Sequence, residues 1–272
     1  MKEVSERDGI GCRAGPSGPE RTDVPQELQC AARQFAAGMA HGSAIVETPG
    51  YHIHFWPQPH PFYRSIAIPR NGDAGAPAAI EDMTGTFTAR QGTPRLEFFA
   101  EMHPGLETAL HARGFRTEMR APVLVCSSPP PGAERGERLR GDVDPAGFMT
   151  AGENVFTCGE PPSPDEVATM RALLASRRCM ALAVCDGNGS YTGGASLCGI
   201  EDGMAEMAAV WTVPGARRLG TASGAIRRLL RHFFDDGGRM VWLSAATPES
   251  HALYLRLGFR CIGTQVNLFL PA

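Results

Sequence analysis

No apolar run in the 272 residues approaches the ~18 that a membrane-spanning helix needs, which excludes that class of protein. The first 25 residues are polar and rich in Gly and Pro, with no apolar core segment. They read as a disordered tail and not as a secretory signal, so a cytoplasmic location is expected. Excess charge of one sign is also lacking: the net charge is -3, which argues against a dedicated nucleic-acid surface. The eight cysteines form no C-x-x-C pair. Cys126, Cys185 and Cys198 stand inside apolar runs, where Cys behaves as a small hydrophobe. With Cys158, Cys179 and Cys261 they are expected to be reduced thiols. Neither Cys nor His shows zinc-ligand spacing. His52 and His54, in a segment that also holds His60, share a strand face and could bind a metal. A partly exposed strand is the preferred reading, so no metal is expected. G-x-G-x-x-G is absent, which removes support for a Rossmann dinucleotide site. No G-K-[ST] is present at the candidate anion loop, which removes the nucleotide-hydrolase reading.

What remains is an ordinary globular composition, 43% hydrophobic and 20% charged, long enough for two modest domains. The clearest break is "SSPPPGAERGERLRGD", residues 127–142, where a proline run meets glycine and charge. The expected division is a tail over 1–25, an N-terminal domain over 26–127, a linker over 128–135 and a C-terminal domain over 136–272. Beyond the linker the sequence predicts a helix at "SPDEVATMRALLAS" with a Ser/Asp start signal. Two strands joined by Asp186-Gly187-Asn188-Gly189 follow, then a third strand, "MAEMAAVWTV". Ala222, Ala225, Ile226, Leu229, Leu230 and Phe233 form one continuous helical stripe, with Arg227, Arg228, Arg231 and His232 off it. A strand, a short helix ending at Gly258 and a final strand complete the chain. Hairpins mixed with crossover helices predict an α/β fold, a mixed sheet flanked by helices.

Between the third strand and the striped helix lies "VPGARRLGTAS". Gly220 and Ala222 let an anion approach the backbone at a helix N-terminus, and arginines stand beside it. The segment resembles the R/Q-x-x-G-x-G/A loop of the GCN5-related N-acetyltransferases (GNAT), with Arg217, Gly220 and Ala222 at the defining positions. "HALYLRLGF", residues 251–259, is similar to the A-x-x-L-Y-x-x-x-G-F segment of the same superfamily. The resemblance covers roughly residues 136–272. It implies a mostly antiparallel GNAT-type sheet and an acetyl-CoA-dependent N-acetyltransferase. The cofactor would be held by Arg217, Arg218, Leu219, Gly220, Thr221 and Ala222 at the diphosphate. Val210, Trp211, Thr212 and Val213 would line the pantetheine and acetyl group, with Thr247 a further contact. Three positions depart from the pattern: Arg218 replaces the usual glycine, Leu219 a frequent Arg or Lys, and Thr247 a frequent Asn.

By the same resemblance Tyr254 is the expected proton donor to the departing coenzyme A sulfur; the bland alternative is a core aromatic. Glu206, the only acid on its strand, matches a general base at this spacing, about 13 Å from Val210 and so acting through water. It could equally just solvate the strand's start. Neither Cys198 nor Cys261 has a nearby His, so a covalent acyl-enzyme is not expected. The acceptor is a primary amine, on a small molecule or peptide, that the sequence does not identify. No nucleic-acid or membrane partner is expected, and a homodimer is open. The rival reading is an inactive, coenzyme A-binding regulatory or scaffolding protein of the same fold. Residues 94–126 echo residues 239–270: each has strand, helix, Gly-Phe-Arg (114–116 and 258–260) and strand. The N-terminal half is therefore read as a degenerate GNAT-like copy, with Leu110 in the place of Tyr254.

Overall fold

Two successive runs of the chain are built to one plan. The computed structural model describes residues 24–40, 43–56, 65–70, 72–139, 144–156 and 161–271; His60, Cys158 and most of the expected tail lie outside them. In the first run, helix α1 (Gln26–Ala40) leads to strands β1 (Ala44–Glu47), β2 (Tyr51–Phe55) and β3 (Ile66–Pro69). Helix α2 (Pro77–Thr88), β4 (Arg95–Phe99), α3 (Leu106–His111) and β5 (Arg116–Cys126) follow. The second run has β6 (Glu137–Arg138), α4 (Ala146–Phe156), α5 (Pro164–Ala175), β7 (Met180–Cys185), β8 (Tyr191–Glu201) and β9 (Met204–Thr212). It ends with α6 (Thr221–Asp235), β10 (Met240–Ser244), α7 (Pro248–Arg256) and β11 (Arg260–Phe269).

In each run three antiparallel strands precede a helix whose crossover makes the next strand parallel to the third. Register pairs show this for β1/β2/β3 and then β3/β4 through α2, and for β7/β8/β9 and then β9/β10 through α6. The short helices end alike. Gly114 and Gly258 both sit at φ 85°, a left-handed value that glycine adopts without penalty. Phe115 N–H donates to the Leu110 carbonyl at 3.2 Å, and Phe259 N–H to the Tyr254 carbonyl at 3.1 Å. Leu110 and Tyr254 therefore occupy matching positions.

The first compact unit comprises residues 1–124, Ser244–Ala252 and Cys261–Ala272; the second is Val125–Leu243 with Leu253–Arg260. Strand order in the first is β1-β2-β3-β4-β11-β5. The sequence assigned 260–269 to the C-terminal domain, whereas β11 pairs antiparallel with β4, Val266 opposite Phe98 and Leu268 opposite Leu96. Its buried side chains complete a core with Tyr51, Ile53, Ile80, Met83, Phe87 and Leu110.

Strand order in the second unit is β10-β9-β8-β7-β6. The predicted stripe of α6 is buried at Ala225, Ile226, Leu229, Leu230 and Phe233. The hairpin turn forms as expected, with Asp186 Oδ1 accepting from Asn188 N–H at 2.9 Å and Ser190 N–H at 3.0 Å. Helix α5 begins with a reciprocal cap, Ser163 with Glu166, at the predicted start. Helix α4 was not predicted, although Asp144 accepts from Ala146 N–H at 3.0 Å ahead of Pro145, a usable start signal. Residues 128–135, expected as a linker, are fastened to α6. Arg227 Nε donates to the Pro131 carbonyl at 2.8 Å, Arg231 Nε to Glu134 at 2.6 Å, and Arg135 N–H to the Gly224 carbonyl at 3.1 Å. Cys30, Cys126, Cys179, Cys185 and Cys198 are free thiols. Cys261 is disulfide-bonded, against the expectation of a reduced thiol there.

Two histidines of the first unit are held neutral by burial. The Ser43 hydroxyl donates to the Met39 carbonyl at 2.6 Å, so at 3.0 Å it accepts from His54 Nδ1. His54 Nε2 is buried without a partner. Desolvation lowers the pKa of both His54 and His103 from 6.5. The unfolded chain then binds more protons as pH falls below 6.5, so stability is present above that value and is lost on acidification. Urea unfolding at pH 7.5 and pH 5.5 is expected to show this loss. His54→Phe, which keeps the ring volume and cannot titrate, is expected to shrink it; an unchanged difference would refute the assignment.

Candidate functional site

The site starts from a place where a sheet stops pairing. Strands β9 and β10 are in parallel register at Met204–Met240, Ala205–Val241 and Glu206–Trp242. Both continue, to Thr212 and Ser244, yet no further pair forms. Beyond Glu206 the two strands diverge and leave one edge of β9 open. On its other edge β9 carries a bulge. Ser196 faces Ala208 and Gly194 faces Trp211, so Ala209 and Val210 together oppose Ala195. Ala209 has φ 49°, a strained value for a residue with a Cβ. The extra residue turns the strand and changes which backbone groups the open edge presents.

The glycine pair on β8 lets side chains meet there. A Cβ on Gly193 would lie 2.7 Å from Thr221 Cγ2, and one on Gly194 would lie 2.5 Å from Phe148 and 2.8 Å from the Trp211 ring. Gly193 therefore admits α6 against one face of the sheet, and Gly194 admits the α4 side against the other. Trp211 is buried, with its ring 5.5 Å from that of Phe148. Since register partners share a face, Glu206, Ala208 and Trp211 lie with Cys198, Ser196 and Gly194 on the α4 side. The sequence reading missed Phe148, Gly193 and Gly194. The Gly-Gly dipeptide inside a strand was the available signal.

After β9 the chain makes a short 3-10 turn, Pro214–Ala216, and then two left-handed residues, Arg218 at φ 62° and Gly220 at φ 77°. The Thr221 hydroxyl donates to the Ala216 carbonyl at 3.0 Å, and Gly224 N–H to the Gly220 carbonyl at 2.8 Å. Among the described residues, no backbone carbonyl accepts from the N–H groups of Arg218 to Ser223. Nothing lies within 4 Å of a Cβ built on Gly220. An open concavity of unpaired N–H groups at a helix start, with Arg217 and Arg218 beside it and no acid in the first turn of α6, suits an anion of two phosphates. Arg217 Nε donates to the Thr212 carbonyl at 3.3 Å, tying the loop to the strand end. The Thr212 hydroxyl is buried without a partner.

The remaining expected residues divide. Val213 N–H donates to the Thr192 carbonyl at 3.0 Å, so it is not free for a ligand. Thr247 caps α7, accepting from Ser250 N–H at 3.1 Å while its own N–H donates to Ser250 Oγ at 3.1 Å. Leu219, in the place of a cation, is exposed. Tyr254 is buried with its ring 5.3 Å from Phe259, and its hydroxyl makes no hydrogen bond among the described residues. Burial pushes its pKa up to about 12, which keeps the proton on. Complete transfer from such a phenol to a thiolate of pKa about 8.5 is uphill, so the side chain serves best as a hydrogen-bond donor. Glu206 is half-buried and stands at the last registered pair.

The matching junction in the first unit is closed. Between β3 and α2, Tyr51 donates its hydroxyl to the Ala74 carbonyl and Ala76 N–H donates to the Asp73 carbonyl at 2.9 Å. Ala76, with φ -64°, precedes Pro77, which has no N–H to offer. Among the described residues no cradle forms there. Among the described residues no group of three or more His, Cys, Asp or Glu could hold a metal, and no helix is long and apolar enough to cross a membrane.

Residues 152–259 match the model of the Acetyltransferase (GNAT) family, a segment holding the fork, the loop and Tyr254. The fold is similar to that of a GCN5-related N-acetyltransferase from Kribbella flavida, at TM-score 0.71 and 21% identity over 90% of this chain and 96% of that one. It is similar to a GCN5-related N-acetyltransferase from Sphaerobacter thermophilus, at TM-score 0.62 and 15% identity over 93% and 95%. A tandem GNAT protein from the clavulanic acid biosynthesis pathway, solved without AcCoA, gives TM-score 0.56 and 15% identity over 88% of each chain. At these identities the likeness is one of fold. No curated protein matches the sequence.

Trp211 holds the α4 side of the site through Phe148, so Trp211→Ala is expected to lose about 3–5 kcal/mol of stability. Chemical denaturation checks this, and a loss below about 1 kcal/mol would mean that the pair is peripheral.

Proposed function

We propose, from a chain whose residues 152–259 carry a GNAT-family domain, that the second unit is an acetyl-CoA-dependent N-acetyltransferase acting on a primary amine. The observation that carries this reading is the open strand edge running into a loop of unpaired N–H groups. The two features give a thioester arm and a diphosphate adjoining places. Arg218, Leu219, Gly220, Thr221 and Ala222 would hold the diphosphate through backbone N–H groups, with Arg217 fixing the loop. The open edge from Val210 to Thr212 would align the pantetheine, and the Thr212 hydroxyl is a spare donor beside it.

Bound acetyl-CoA would supply an activated acyl carbonyl with a thiolate leaving group. The chain's task is then to hold protons at two points. The phenol of Tyr254 retains its proton at working pH and donates a hydrogen bond to the departing sulfur. Glu206, at the mouth of the divergence, accepts the amine's proton through a water. Transfer is direct, since an amine acceptor needs no enzyme nucleophile. The acceptor is an amine on a small molecule or peptide; the protein is cytoplasmic and uses neither nucleic acid nor membrane. The first unit, with its closed junction and Leu110 in place of Tyr254, binds no acetyl-CoA.

Calorimetry is expected to show acetyl-CoA binding by the wild type and none by Gly220→Glu, which puts bulk and negative charge into the cradle, with circular dichroism unchanged. Absence of binding by the wild type would overturn the proposal, and binding without turnover on an amine panel would favour the inactive, regulatory reading. On an acceptor that is turned over, Tyr254→Phe is expected to lower kcat on the order of 100-fold with little change in KM. Equal kcat would return Tyr254 to the core.

A further inference from the structure

Cys179 and Cys198 belong to one apolar cluster in the second unit, on the α4 and α5 side of the sheet. Met180 pairs with Leu197 in the antiparallel register of β7 and β8, which brings the residues one step outward, Cys179 and Cys198, opposite each other. Neither is in a disulfide. Cys179 also lies 4.0 Å from the Met170 sulfur. The two thiols are unequal: Cys179 is buried and Cys198 half-buried. No step of the acyl transfer uses either.

We propose that Cys179 and Cys198 are a thiol–disulfide site, closed by a peroxide-class oxidant into a bond that staples β7 to β8. The more accessible Cys198 thiol attacks the peroxide, the O–O bond breaks, and Cys198 becomes a sulfenic acid as the oxidant is reduced to an alcohol or water. The Cys179 sulfur then attacks the Cys198 sulfur. The S–O bond breaks, and the Cys179 proton leaves with the hydroxide as water. Two thiols and one peroxide give one disulfide. Burial and the neighbouring sulfur hold the Cys179 thiol protonated, so the second step depends on the short approach and not on a pre-formed thiolate. Strand register supplies that approach, because opposed residues in an antiparallel pair lie within disulfide range. The bond would form beside Glu206, which register sets on β9 directly opposite Cys198.

The test uses the full-length protein, reduced, treated with hydrogen peroxide and then alkylated with N-ethylmaleimide in denaturant. Cleavage at Asp186 places Cys179 and Cys198 on separate peptides, which are mapped by mass spectrometry without reduction. The expected product is a peptide pair joined through these two cysteines, two hydrogens lighter than the reduced pair and separated again by dithiothreitol. In Cys179→Ser the pair is expected to be lost, and Cys198 is then trapped by dimedone as a sulfenic acid. Three results would each overturn the assignment: both thiols alkylated after peroxide has modified the exposed Cys185, a linkage that persists in Cys179→Ser, or oxidation confined to Met170.

Discussion

The chemistry proposed for this protein depends on a hydrogen-bond ladder that stops. Strands β9 and β10 pair up to Glu206 and Trp242 and then part, although β9 runs on to Thr212 and β10 to Ser244. A strand edge left without partners costs free energy in a buried sheet. Here it is kept open by structure on either side: a bulge at Ala209–Val210 that turns β9, the Trp211–Phe148 contact that anchors the turned end, and the Thr221 hydroxyl that ties the following loop. The loop extends the same device, with N–H groups that the helix itself cannot satisfy. Backbone polarity is thus concentrated along one line, where a ligand with a carbonyl at one end and phosphates at the other would replace the missing partners.

Much of this was legible in the sequence, because it is local. The α6 stripe, Gly220 at its start and the Asp-Gly-Asn-Gly turn each rest on periodicity or on a conformation that few residues adopt, and both signals survive without tertiary context. The echo between residues 94–126 and 239–270 was legible for the same reason, and the Gly114 and Gly258 terminations repeat each other bond for bond. What stayed hidden was non-local. Nothing in "RCIGTQVNLF" says which strands will flank it, since β-pattern encodes a buried face and not a neighbour. The proline-rich segment at 128–135 has a linker's composition, yet the arginines of α6 capture it through partners that composition does not reveal.

The site residues divide on the same principle. Gly220 and Tyr254 are recognisable through short segments that resemble the GNAT superfamily, and each stands within a few residues of a helix start or stop. The roles of Val213 and Thr247 were not recognisable, because each depends on a hydrogen bond made with another element or cap: Val213 N–H with Thr192, and Thr247 with Ser250. Gly193 and Gly194 show the converse. Their meaning comes from the side chains that press on them from opposite faces, which only the assembled sheet supplies.

The placement of β11 has a consequence for how the chain reaches this structure. The first unit needs Val266 beside Phe98, so nearly everything between those positions must be synthesised before its central strand arrives. Until then β4 lacks a neighbour on that side and shows an apolar strand to the solvent. Such late, distant pairing is slow to form, because closing a long loop costs entropy before any contact repays it. The half of the molecule made first is therefore finished last, and its exposed strand is the point at which a nascent chain would most need protection from aggregation.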